Sequence, residues 1–318
     1  MALLELAAKL PLTDLPSVLN PASPEGEAVL RLFWVVLVIA AVVFVSVAVP
    51  VGISIVRFRR RSGDPVPKQV MGHDRIEILW TALPFAVLLV LFGVTVSAMH
   101  AIQPPVRDRE PDLDVVAHQW WWEGHYRKTG VVVANEFHFP AGQTLLLRFS
   151  SADVIHDWWV PRLGRKMDIF PNHHTYLWMH PERPGLYLGT CDEFCGAEHA
   201  WMRIRVVVDS PDDYRRWTEQ QLRTPGDPAD AMGLALYRKL PCASCHAIEG
   251  TSAAAIGPDL THVGSRDTLG AGIMANNLDN LTRWIRNAQA IKPKCHMPNM
   301  QLGCDDARHI ARYLEGLR

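Results

Sequence analysis

Net charge is almost absent from this sequence: 32 Lys and Arg offset 33 Asp and Glu over 318 residues, which leaves −1. Nucleic acid is therefore not expected as a partner, because a chain without a cationic excess has little hold on a phosphate backbone. Internal repeats and low-complexity tracts are missing as well, which sets aside a repeat architecture. Residues 32–56 contain no charged side chain at all, an absence that soluble helices of that length rarely show. The first 28 residues lack a cationic stretch followed by a short apolar run and a cleavage site, so 1–28 is read as an N-terminal segment and not as a signal peptide.

A mean hydropathy of +0.01 hides a sharp division along the chain. Residues 29–56 and 76–98 are each long enough to cross a hydrocarbon layer of about 30 Å as helices, so 29–110 predicts a transmembrane hairpin. Arg57, Arg59, Arg60, Arg61, Lys68 and Arg75 cluster between the spans. Positive loops stay inside, which places both termini and everything after the second span on the periplasmic side. From 111 to 209 the composition turns to Val, Leu, Trp and Thr, with PAG at 140, PN at 171 and PERPG at 181 as turns. Segments VVVANEFHF, TLLLRFS, TYLWMH, GLYLGT and RIRVVVD predict an all-β Greek-key sandwich or barrel. Residues 210–230 are polar and read as a linker that starts as a short helix. Helical periodicity at 229–239, 278–289 and 305–317, the last with Asp305 placed to cap, predicts a small all-α domain over 231–318.

Cysteine is scarce, at six, and four of the six fall in motifs. CDEFCGAEHAWM packs Cys191, Glu193, Cys195, His199 and Met202 into twelve residues, and DVIHDWWVP supplies His156 upstream. Thiolate, imidazole and thioether suit copper, whereas zinc draws its ligands from Cys and His and leaves Met out. Two thiolates on one tight loop can bridge two metals while His and Met each face a different one. A disulfide between Cys191 and Cys195 is the plain alternative, but closing so short a loop is awkward and leaves the spacing of His and Met unexplained. Near the C-terminus, CASCH (Cys242, Cys245, His246) reads as covalent haem c, with the thiols on the vinyl groups and His246 as proximal iron ligand. Cys295 and Cys304 remain; in an oxidising compartment a disulfide between them is favoured over free thiols. His173 and His174 have no further ligand at metal spacing and read as surface residues.

Together these residues resemble subunit II of the cytochrome c oxidases with a fused C-terminal class I cytochrome c, the caa-type arrangement of haem-copper oxidases. The resemblance covers the chain. It implies a cupredoxin-like fold for 111–209 and a binuclear copper A centre. Cys191 and Cys195 would bridge, His156 and His199 would be terminal ligands, and Met202 with the Glu193 backbone carbonyl would be weak ones. The Glu193 side chain would also reach a magnesium at a subunit interface. In the haem domain the helix with Gly233 and Tyr237, IGPDL at 256–260 and KPKCHMPNM match the class I pattern. That match favours Met297 over Met300 and His296 as distal ligand, and it has the Pro258 carbonyl accept from His246.

Trp120 in HQWWWEGHY is implied as the point where electrons enter the copper domain; a core strand residue is the plain alternative. Glu77 is implied at the mouth of a proton pathway, with a simple interfacial charge as its alternative. The function implied is that of an electron-transfer subunit of a proton-translocating oxidoreductase. Electrons would pass from cytochrome c through haem c and copper A to subunit I, which reduces oxygen; subunit III and the bacterial inner membrane complete the expected partners. The alternatives are the equivalent subunit of a copper A nitric oxide reductase and a stand-alone membrane-anchored carrier, against which the unpaired hairpin counts. A quinol oxidase subunit would have no use for intact copper ligands.

Overall fold

The structure, a computed structural model, describes residues 16–63, 65–66, 68–103, 109–226 and 230–318. Two compact units result, one over 27–105 and one formed by the residues before and after it.

In the first unit, α1 (Pro24–Arg57) and α2 (Asp74–Ala101) are 34 and 28 residues long. At 1.5 Å per residue they reach about 51 and 42 Å, more than an apolar layer of about 30 Å requires. Val42, Phe44 and Ile55 of α1 and Leu88 and Phe92 of α2 stand exposed, and no residue of α2 is buried. Helices that are apolar all round and uncovered by their own chain need an apolar surrounding. At the start of α2, Glu77 Oε1 accepts from the backbone N–H of His73 at 3.1 Å. Glu77 therefore satisfies one of the donors that a helix start leaves open.

The β domain is a sandwich of two five-stranded sheets. The first runs in the order β3 (Val132–Ala134), β2 (Trp121–Tyr126), β1 (Leu113–His118), β5 (Leu145–Ser151), β8 (Thr175–Met179); the second β4 (Glu136–Pro140), β10 (Arg203–Asp209), β9 (Gly185–Cys191), β6 (His156–Trp159), β7 (Met167–Ile169). β1 lies parallel to β5 and β4 parallel to β10, the crossings of a Greek key. Alternate residues of β1 and β10 face inward, as a strand between core and solvent requires. Trp122, Trp158, Phe137 and Phe149 fill the space between the sheets, Trp122 and Trp158 meeting edge to face at 5.3 Å.

VVVANEFHF, which periodicity presents as one strand, is broken at Asn135, whose φ of 64° is left-handed. Asn tolerates that region and, by accepting from the Trp122 N–H through its side chain, lets the chain cross from the first sheet to the second. The expected linker is also shorter than its composition suggests. Ser210 caps α3 (Pro211–Gln221), and Trp217 of α3 stacks on His138 at 4.3 Å, so this helix is part of the sandwich. Within the remaining connection, residues 227–229 lie outside the described ones.

The C-terminal domain is built from α4 (Ala231–Lys239), α5 (Leu278–Arg286) and α6 (Cys304–Glu315), with two short ribbons, β11–β12 (247–253) and β13–β14 (268–275). Asp230 caps α4 and Asn277 caps α5. Asp305 does not cap α6: Gly303 holds the N-cap position, and Asp305 sits in the first turn, where its charge still complements the helix dipole. α5 ends at Arg286, three residues earlier than the pattern indicates, and passes into a tighter turn at Ala288–Ala290. Tyr237, Leu281, Ile310 and Leu314 form the core. At Gly233 an added Cβ would lie 2.1 Å from the His309 carbonyl oxygen, so α4 and α6 cross backbone against backbone. Gly233→Ala should destabilise this domain by about 1–3 kcal/mol through overpacking. Denaturant titration followed by haem absorption measures it, and an unchanged midpoint would mean that the helices can part without cost.

Candidate metal centre

The sulfur cluster is assembled by sheet register. β9 ends at Cys191, β10 begins at Arg203, and the loop between them carries Glu193, Cys195, His199 and Met202. β6 pairs with β9, Trp158 opposite Cys191, which brings His156 at the start of β6 beside the loop. Cys191, Cys195, His156 and Met202 are buried. The two Sγ atoms are 3.8 Å apart. Cys191 Sγ lies 3.8 Å from His156 Nδ1 and 3.3 Å from the Glu193 carbonyl oxygen. Cys195 Sγ lies 3.6 Å from His199 Nδ1 and 3.9 Å from Met202 Sδ. All six residues of the motif thus converge, with one imidazole on each sulfur. Glu193 itself is exposed.

This donor set fits copper A. A sulfur separation of 3.8 Å is far beyond a disulfide bond of about 2 Å, and both cysteines are free. It is also less than twice the roughly 2.3 Å that a thiolate keeps from a borderline metal, so one ion can touch both sulfurs. The electrostatics agree. Contact with Cys195 holds the Cys191 thiol well below the usual range against the opposing effect of burial, while the Cys191 charge and burial push Cys195 up. Two buried thiolates this close tolerate each other only with a cation between them.

Asp153 is a functional neighbour that motif spacing does not reveal. Its Oδ1 lies 2.7 Å from His156 Nε2, so the ring donates there and turns the Nδ1 lone pair toward Cys191. Burial alone would raise the Asp153 carboxyl, but hydrogen bonds from His156 and the backbone N–H groups of Gln119 and Val154 hold it below its usual value. Its position three residues before His156 was the available signal. Glu198, beside His199, is buried with one carboxylate oxygen unpartnered among the described residues, and burial pushes its carboxyl up.

The haem motif lies in an apolar cavity. Cys242 and Cys245 sit in the turn after α4, and His246 Nδ1 donates to the Pro258 carbonyl at 2.8 Å, leaving Nε2 free as a ligand. Burial lowers the affinity of His246 for a proton, which keeps the imidazole in its ligating form. Met297, Met300 and His296 all line the cavity. Gln289 ties down their loop by donating to the carbonyls of Cys295 and Met297. The disulfide favoured for Cys295 and Cys304 is not formed: both are free, Cys295 held among Gln289 and Met297 and Cys304 exposed at the start of α6. His173 and His174 are exposed.

Trp120 stands between the two centres. It is buried, its Nε1 donates to the Cys195 carbonyl at 3.0 Å, and its ring lies 5.1 Å from that of His296. The copper domain also closes one wall of the haem cavity with His118, Trp120 and Trp121.

Comparison with known proteins agrees with this arrangement. Residues 17–97 match the family "Cytochrome C oxidase subunit II, transmembrane domain", 123–210 "Cytochrome C oxidase subunit II, periplasmic domain" and 231–318 "Cytochrome c". The chain is similar to cytochrome c oxidase subunit 2 of Alkalihalophilus pseudofirmus, 30% identical over 310 residues that cover 94% of this chain and 90% of that one. The corresponding protein of Bacillus sp. strain PS3 is 30% identical over 74% of this chain and 72% of its own, and that of Bacillus subtilis 29% identical over 83% and 81%. Sulfur cluster, haem pocket and apolar helix pair thus coincide with matches along nearly the whole sequence, and the chain belongs to the cytochrome c oxidase subunit II family, with a cytochrome c domain at its C-terminus.

Proposed function

We propose that this chain is the electron-transfer subunit of a haem-copper oxidase, taking electrons from cytochrome c and passing them through its own haem domain and copper centre to subunit I, where oxygen is reduced. The observation that carries the reading is Trp120, hydrogen-bonded to the sulfur loop at Cys195 while its ring meets the haem cavity at His296. Haem and copper, when bound, supply one-electron redox states of low reorganisation. The polypeptide does the rest. Cys191, Cys195, His156, His199, Met202 and the Glu193 carbonyl would hold the copper pair; Cys242, Cys245 and His246 would hold the haem, with Met297 from the facing loop as the further ligand. Asp153 fixes one imidazole, Pro258 another, and the buried sandwich keeps water from the sulfurs.

The basic cluster from Arg57 to Arg75 supports a cytoplasmic hairpin loop, hence copper and haem domains on the periplasmic side of the inner membrane. The exposed Glu193 carboxylate is free to meet a magnesium shared with subunit I, and the all-round apolar faces of α1 and α2 suit packing against subunits I and III within the bilayer. Oxygen is favoured over nitric oxide as terminal acceptor because the relatives that match over most of their length are oxidase subunits.

In the purified complex, reduced cytochrome c should bring up the reduced haem band before the copper absorption bleaches, and oxygen rather than nitric oxide should be consumed. Copper bleaching ahead of haem would contradict the order. Trp120→Phe keeps an apolar ring but loses the bond to Cys195; copper content should persist while the copper phase slows about tenfold or more. An unchanged rate would make Trp120 a core residue only. Asp153→Asn should leave the fold intact and weaken copper binding about 10- to 100-fold in competition with a chelator, since the imidazole loses its anionic partner. Wild-type affinity in that variant would remove Asp153 from the site.

A further inference from the structure

Two buried charges cross the boundary between the copper and haem domains in opposite directions. Lys292, on the haem side, is buried, and its Nζ donates to the carbonyls of Trp120 at 2.9 Å and Trp201 at 3.1 Å in the copper domain, and of Gly270 at 3.4 Å in its own. Three carbonyls match the three protons of an ammonium, and lysine is almost never found so deep without such partners. Burial pushes the Lys292 ammonium down to about 8.

Glu136, on the copper side, is buried too, and its carboxylate accepts from the backbone N–H groups of Asp267 at 3.1 Å and Thr268 at 2.8 Å and from the Thr268 hydroxyl at 2.8 Å. Each domain thus inserts a charged side chain into the backbone of the other. Surface ion pairs adjust to sliding, but a charge seated on several fixed backbone groups specifies both position and orientation. The contact of Arg205 with the mostly exposed Asp267 lies at the rim and adds little to this.

We propose that Lys292 and Glu136 form a reciprocal lock that holds the haem domain in one standing orientation on the copper domain, so that the fused cytochrome works as a fixed carrier and not as a swinging, tethered one. The lock deepens the electron-transfer reading and rests on it for its purpose. Electron tunnelling weakens steeply with separation, so a standing geometry sets one rate, whereas a free tether would have to find the productive pose in each turnover. Lys292 and Glu136 are positioning residues: neither touches a metal ligand's donor atom, and both act through the backbone around Trp120 and the haem pocket.

The test is pulsed electron paramagnetic resonance on the purified, fully loaded complex, reading the distance distribution between haem iron and the copper centre. Wild type should give one narrow distance. Lys292→Met and Glu136→Gln, with haem and copper spectra showing both centres loaded, should broaden it. In the double variant, interdomain electron transfer should slow about tenfold or more and become sensitive to glycerol viscosity, to which wild type should be indifferent. A broad distribution or viscosity-limited transfer in wild type overturns the lock, as does a single narrow distance kept in the double variant. If the variants do not assemble, the wild-type distance and viscosity measurements still decide. A narrow wild-type distance without interdomain transfer would support the lock and refute the electron-transfer reading.

Discussion

Two sulfur atoms held 3.8 Å apart inside a β-sandwich are the constraint on which the rest of this structure depends. Neither thiol faces water, and the charge on one forces the proton onto the other. Such a pair is costly in an empty protein and favourable only around cations, so the surrounding fold must hold it against its own repulsion. The pairing of β6 with β9 does this by placing His156 opposite the loop, and Asp153 fixes the face that the ring presents. A rigid frame of this kind also suits electron transfer, in which donor atoms should move little between redox states.

The same loop governs the relation between domains. Its Cys195 carbonyl is the acceptor for Trp120 Nε1, and its Trp201 carbonyl is an acceptor for Lys292. The backbone that shapes the metal site is therefore also the backbone on which the haem domain rests. The copper domain in turn supplies part of the haem cavity wall through Trp120 and Trp121. A distortion at the sulfurs would be felt in the haem pocket, and the reverse, through a few contiguous hydrogen bonds.

What was legible in the sequence followed from how close together its determinants lie. The ligand loop from Cys191 to Met202 and the CASCH motif are local, and the charge-free run of residues 32–56 is a property of composition, so all could be read directly. Asn135 was harder: its break turns on a left-handed residue inside an otherwise regular apolar run, and Asn is only a weak signal of that. At α6 a cap and a first-turn acid differ by very few positions in sequence, so Asp305 reads as a cap although Gly303 holds that place. Lys292 and Glu136 were out of reach altogether. Lys292 meets the copper domain at residues 172 and 91 positions away and Glu136 meets the haem domain 131 positions away, and nothing in a lone lysine or glutamate reports that it is buried. The pairing favoured for Cys295 and Cys304 rested on compartment alone, and geometry gave Cys295 other neighbours.

Electron transfer through this chain requires that the sulfur pair hold two coppers that share one electron. Electron paramagnetic resonance of the full-length chain loaded with copper measures this directly. Hyperfine splitting from two equivalent copper nuclei, lost on Cys191→Ser or Cys195→Ser because a hydroxyl bridges soft metals poorly, is the predicted result. The pattern of a single copper nucleus in the wild-type protein, or a shared state that survives loss of either cysteine, would contradict it.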